Sequence, residues 1–213
     1  MNISKLDKKR KIAILNSALK EFTIKGYDEA STNVIAKEAD ISKALMFHYI
    51  GNKQELFLFI YDYFEEVLEN EYYSKINLKE KDIFNRLRQS YLLQLELLEQ
   101  YPWILEFDKL ATETSSEEIN KRILNSDKNR NVSECFNLFN DIDTTKFRND
   151  LDIKKCIQFI LWSNVGFTNK ILEDIRNKGV QDSNNEQIIS TLDGYFDELQ
   201  KVFYTFKEEH KDG

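Results

Sequence analysis

Turn formers are scarce in this chain, with six glycines and one proline in 213 residues. A β-rich fold of that length needs many tight hairpins, and hairpins need Gly, Asn-Gly or Pro at fixed places. The long segments instead repeat apolar residues at spacings of three and four, which is the helical period. The sequence therefore predicts an all-α fold of about nine helices. The first runs from about Asp7 to Lys25, with Ile12, Leu15, Ala18, Leu19 and Phe22 as its buried stripe, and Gly26 closes it. Ser31 or Thr32 caps a short second helix. Asp40-Ile41-Ser42 makes a tight turn, a third short helix spans Lys43 to Tyr49, and Gly51-Asn52 breaks it. A long fourth helix follows from Lys53 to about Ser74. The fifth covers about Lys81 to Gln100 and stops before Tyr101-Pro102, because proline belongs at a helix start. Trp103 to Thr112 is a sixth. Ser115-Ser116-Glu117-Glu118 opens a seventh that reaches about Phe139, and Asp141 to Asp150 is a loop. The last two are long, from about Asp152 to Lys178 and from about Asn185 to Glu208.

Charge and composition narrow the function classes. The net charge of −7 argues against a polyanionic partner until its distribution is read. Residues 1–60 carry ten Lys or Arg against seven Asp or Glu, a net of +3, whereas the remainder carries twenty against thirty, a net of −10. A mildly basic head on an acidic body suits two jobs, one of them contact with a polyanion. No apolar run approaches the roughly 20 residues that span a bilayer. The N-terminal stretch lacks the apolar core of a secretory signal, so the expected location is the cytoplasm, without membrane partners. Cys135 and Cys156 form no CxxC pair and read as buried reduced thiols.

The informative segment lies between Ile35 and Leu56. Two short helices joined by a three-residue turn form a helix-turn-helix. The second helix of such a pair enters a major groove about 12 Å wide, so it must be short and must not present acids. Lys43 to Tyr49 contains no acid, and Met46 and Ile50 are spaced to pack back on the preceding helices. Lys43, His48 and Lys53 are suited to phosphates or base edges.

With those residues in view, the segment resembles the TetR family of transcriptional regulators. The resemblance rests on Phe22, Gly26-Tyr27, Ser31-Thr32, Ile35-Ala36, the run Ile41 to Ile50, and Asn52-Lys53-Gln54-Glu55-Leu56. It covers about fifty residues, and the rest of the chain is similar only in layout. It implies a DNA-binding head at 1–52 and an effector-binding and dimerisation body at 53–213. It also implies residue roles. Thr32 holds a phosphate, Lys43, Ala44 and Leu45 face base edges, Phe47, His48 and Tyr49 lie against the sugar-phosphate backbone, and Lys53 clamps another phosphate. Phe47 departs from the tyrosine usual there, and Ala44 and Leu45 are both apolar. An apolar side chain in a major groove has one good partner, the thymine methyl, so the sequence predicts A·T pairs beneath Ala44 and Leu45.

The same resemblance makes the protein a repressor that releases a palindromic operator in double-stranded DNA when a small effector binds. Candidate lining residues for that lipophilic or aromatic effector are Tyr91, Trp103, Phe107, Phe139 and Trp162, though aromatic stripes at helical spacing are core more often than pocket walls. The last two helices supply the homodimer interface, which gives one recognition helix to each half of the palindrome. Neither a cofactor nor a metal is called for. His48 and His210 have no metal-ligating partner at helical spacing, and GxSxG, GxxxxGK[ST] and GxGxxG are absent, so the chain does not read as an enzyme. Two other readings stay open: a DNA-binding regulator without an effector, and a helical protein–protein adaptor.

Overall fold

The computed structural model describes residues 7–110, 114–129, 138–178 and 184–205. Among them are nine α-helices: α1 (Lys8–Glu29), α2 (Thr32–Glu38), α3 (Lys43–Ile50), α4 (Lys53–Glu71), α5 (Ile83–Gln100), α6 (Ile104–Leu110), α7 (Glu117–Asn129), α8 (Ile153–Lys178) and α9 (Asn185–Phe203). A short 3-10 turn at Tyr73–Lys75 follows α4. The described residues hold no β-strand, only an isolated antiparallel bridge between Phe147 and Tyr204. None of their helices is long and apolar enough to cross a membrane.

The helix ends follow local chemistry. Asp7 accepts a hydrogen bond from the Arg10 amide and starts α1. Gly26 breaks α1 with φ 69°, a conformation that costs a residue with a Cβ far more than it costs glycine. Ser42 caps α3 through the Leu45 amide. Asn52 and Glu55 form a reciprocal capping box at the start of α4. Ser116 caps α7 through the Ile119 amide at 3.4 Å. Beyond α9 the chain turns extended at Tyr204, short of the predicted end near Glu208, which lies outside the described residues. The predicted ends of the sixth helix at Thr112 and the seventh at Phe139 meet undescribed stretches at 111–113 and 130–137.

The chain divides into two compact units. One holds Met1–Lys75 and Glu96–Glu134, the other Ile76–Leu95 and Cys135–Gly213. In the first, α1 packs against α2, α4 and α6, and α4 packs against α7. Its core joins Ile14, Leu15, Leu19 and Phe22 of α1 to Ile35 of α2, Met46 and Ile50 of α3, and Leu56, Phe57, Ile60 and Phe64 of α4. Each such side chain contributes about 1.5–3 kcal/mol by leaving water. Phe57 sits at the centre, with ring centroids 5.0 Å from Phe22, 5.3 Å from Tyr27 and 5.7 Å from Phe107.

In the second unit α8 packs on α9, and the aromatic core is Phe84, Tyr91, Phe147, Phe196 and Tyr204. Two polar clusters fasten its loops. Buried Arg86 donates to the carbonyls of Glu80 (2.9 Å), Leu78 (3.1 Å), Leu138 (3.2 Å) and Asn140 (2.7 Å), which stitches 78–80 to 138–140. Buried Asp82 caps α5 through the amides of Phe84 and Asn85, and accepts from Lys146 Nζ at 2.8 Å and Tyr204 OH at 3.3 Å. Burial pushes the Asp82 carboxyl up, but these bonds outweigh it and hold it below the usual carboxylate range.

Candidate nucleic-acid interface

α2 and α3 are positioned by one tight corner. Asp40 takes φ 52°, the Ile41 amide returns to the Ala36 carbonyl at 3.0 Å, and Ser42 then caps α3. The α3 helix is anchored from beneath, as its spacing predicts: Met46 is 0% and Ile50 1% exposed. Gly51, at φ 100°, ends it beneath the Glu55 carboxylate, which a Cβ there would displace. Short length, two anchors on one side and capped ends hold α3 rigidly with its other side outward.

That outward side carries the predicted residues. Lys43, Ala44, Leu45 and His48 are exposed, and Phe47 and Tyr49 are half-buried. Lys43 Nζ lies 5.6 Å above the Phe47 ring, and His48 meets Tyr49 edge-on at 5.3 Å. Thr32 is the first residue of α2 and is half-buried, with Ser31 before it. Ser31 does not cap α2 with its side chain; its amide donates to Glu21 Oε1 at 2.9 Å. The helix start at Thr32 is thus tied back to α1.

Lys53 is held by a hydrogen bond as well as by a ring. Its Nζ donates to the Asp28 carbonyl at 2.9 Å and stands 5.0 Å above the Tyr27 ring. Burial is the main influence that pushes the Tyr27 phenol up. The Asp28 carboxylate turns elsewhere, accepting from the Ser115 amide at 2.9 Å and from Ser115 Oγ. These Ser115 bonds hold the Asp28 carboxyl below its ordinary range. Gln54 donates to Glu118 at 2.6 Å and accepts from Ser116 Oγ at 3.3 Å. Asp28 had no signal in the sequence, and Ser115 had one only as part of a helix start.

The five effector candidates fall into distinct surroundings. In the first unit, Phe107 is buried among Phe57, Tyr61 and Phe64, with centroids at 5.7, 6.5 and 5.4 Å, and Trp103 is half-buried. In the second, buried Tyr91 donates to the Asn164 carbonyl and pairs with Thr168 Oγ1, both at 2.9 Å. Phe139 is half-buried there, and Trp162 is exposed on α8 beside Phe159. A cleft of about 590 Å³ lies between α8 and α9, lined by Asn164, Phe167, Lys170, Tyr195, Phe196 and Leu199 among others. None of the five candidates lines it. Among residues with described side chains, no group of three His, Cys, Asp or Glu is placed to hold a metal ion.

Residues 14–60 match the family model described as bacterial regulatory proteins, tetR family. No curated protein matches the chain by sequence. Solved structures resemble it over nearly its whole length. The ketosteroid transcriptional regulator KstR2 of Mycobacterium tuberculosis has a TM-score of 0.62 at 17% identity, covering 95% of this chain and 98% of its own. A TetR family transcriptional regulator from Chloroflexus aurantiacus has 0.59 at 15% identity, covering 96% and 97%. AibR in complex with isovaleryl coenzyme A and operator DNA has 0.57 at 22% identity, covering 88% and 97%. At these identities the likeness is one of fold, and it extends through α8 and α9.

Proposed function

We propose that this chain, whose residues 14–60 match the TetR family model, is a TetR-type homodimeric repressor which releases a palindromic operator when a small lipophilic or aromatic effector occupies its body. Residues 1–52 read DNA, and residues 53–213 bind the effector and a second copy of the chain. One observation carries the reading: α3 is fixed from below by Met46 and Ile50, while its acid-free start at Lys43, Ala44 and Leu45 stands exposed. A helix held in that way is shaped for a major groove. AibR, whose fold is similar, was solved with both isovaleryl coenzyme A and operator DNA, which supports one chain of this architecture serving both partners.

One α3 reads too few base pairs for useful specificity, and a two-fold dimer presents two. Phe159, Trp162 and Val165 of α8 and Tyr195 and Val202 of α9 are exposed apolar side chains, and they support α8 and α9 as the dimer interface. Effector binding then shifts α6, α4 passes the shift to the head, and the two α3 helices lose their match to the groove spacing. Differential affinities of about 1–3 kcal/mol suffice for such a switch.

Selecting bound duplexes from a random-sequence pool tests the proposal. The expected product is a two-fold symmetric site whose half-site centres lie about one helical turn, or a multiple of it, apart. An asymmetric site, or no enrichment, overturns it. Within that site, uracil in place of thymine beneath Ala44 and Leu45 should weaken binding, because the 5-methyl is the apolar contact removed. Unchanged affinity would refute the thymine assignment and leave the regulator reading standing.

A further inference from the structure

Lys53, in the first turn of α4, meets Asp28 near the end of α1, and the pairing found there is not the obvious one. Lys53 Nζ bonds the main-chain carbonyl of Asp28, 2.9 Å away, and not its carboxylate. Both carboxylate oxygens of Asp28 are taken by one residue 87 positions further along the chain: Oδ2 accepts from the Ser115 amide and Oδ1 from Ser115 Oγ. The segment that carries Ser115 is itself fastened beside α4. Gln54 bonds both Glu118 and Ser116, and Arg122 of α7 pairs with Asp62 at 2.7 Å and with Glu65 at 3.2 Å.

A charge-assisted bond between an ammonium and a carboxylate is roughly twice as strong as one to a neutral carbonyl. An Asp28 carboxylate without Ser115 would therefore draw Lys53 to itself. A lysine neutralised in that way no longer displaces a counterion from a phosphate. We propose that Ser115 is a positioning residue for DNA contact: by occupying the Asp28 carboxylate it keeps that acid off Lys53, whose ammonium then serves a phosphate. The inference rests on Lys53 being a phosphate contact in the regulator reading above. The Asp28 carboxyl is held below its ordinary range first by the Ser115 bonds and only lastly by the charge of Lys53, so Ser115 is its main partner.

The test measures binding of a fluorescein-labelled random-sequence 30-bp duplex by anisotropy across a salt series. Circular dichroism melts of every variant report the fold. Lys53→Ala should weaken binding about tenfold and flatten the log–log salt slope by about 2 per dimer. Ser115→Pro removes both donors to Asp28 and should reproduce that loss, while Ser115→Ala, which removes only Oγ, should fall between it and the parent. Asp28→Asn cannot capture Lys53, so Asp28→Asn with Ser115→Pro should recover the parent slope. A purely structural fault at Ser115 would not be rescued in this way. Ser115→Pro added to Lys53→Ala should cost nothing more than Lys53→Ala alone. Should Ser115→Pro keep the parent slope while Lys53→Ala flattens it, or should Asp28→Asn fail to rescue, the positioning role is overturned and the DNA head stands. Should Lys53→Ala itself leave affinity and slope unchanged, the phosphate role of Lys53 falls, and this inference falls with it.

Discussion

α3 and the α8–α9 pair both leave apolar side chains in water, but in different company. On α3 the exposed apolar surface is one small step, Ala44 and Leu45, flanked by Lys43 and His48 and seated on two buried anchors. On α8 and α9 it is a set of large side chains, Phe159, Trp162, Val165, Tyr195 and Val202, each about half exposed. A small apolar step among cations suits a polyanion whose groove carries methyl groups. Several large apolar side chains on adjoining helices suit another protein surface. Exposure alone does not separate the two regions; the charge and size of the neighbours do.

The comparison breaks first on stability. Ile50→Ala should cost about 2–5 kcal/mol of unfolding free energy, since it removes a buried anchor. Leu45→Ala, five residues away and exposed, should stay within about 0.5 kcal/mol of the parent. Chemical denaturation of both variants decides it, and similar costs would mean that α3 has no distinct inner and outer sides.

In the proposed homodimer, Trp162→Glu should leave a monomer by placing a charge in the apolar contact between copies. Losing one of the two heads removes about half of the phosphate contacts, so DNA affinity should fall roughly 100-fold. Sedimentation velocity and anisotropy measure the two effects, and a variant that stays dimeric removes α8 from the interface.

Asp82 fastens the end of α9 through Tyr204 and should give the body an acid limit. Its folded pKa is depressed, so its contribution is present above the unfolded carboxylate value of about 3.9 and is lost as pH falls from there through the lower folded value. Asp82→Asn should remove about 1–2 kcal/mol at neutral pH and flatten that acid limb. Melting curves from pH 7 down to pH 2 report both, and a variant with the parent's acid profile contradicts the assignment.

The smallest effect is a gain. With Phe47 against the DNA backbone as proposed, Phe47→Tyr should add one phosphate hydrogen bond worth about 0.5–1.5 kcal/mol, or roughly twofold to tenfold tighter DNA binding. No gain at fixed salt would place Phe47 off the backbone.

The parts of this molecule that the sequence makes legible are the local ones. Gly26 sits at positive φ where α1 breaks and Gly51 where α3 stops, Ser42 caps α3, and Met46 and Ile50 point inward as a spacing of four requires. Periodicity and turn chemistry decide these within a few residues. The long-range polar contacts are not legible, because nothing near Asp28 announces Ser115, and nothing near Arg86 announces the carbonyls at 138 and 140. Lys53 shows the boundary between the two. Its place at the start of α4 is plain in the sequence, but its engagement with Tyr27 and the Asp28 carbonyl comes only from the folded chain. Aromatic residues mark the body without sorting it: Phe107 is core, Trp162 is surface, and their helical spacing is alike.

The central claim is that the exposed start of α3 enters the major groove. It is tested most directly by filling that groove. Parent protein is titrated against one duplex made with cytosine and against the same duplex made with glucosylated 5-hydroxymethylcytosine, whose sugars occupy the major groove and leave the phosphates in place. The account predicts that binding to the filled duplex is lost or reduced to a weak salt-sensitive residue. Equal affinity for the two duplexes would contradict it.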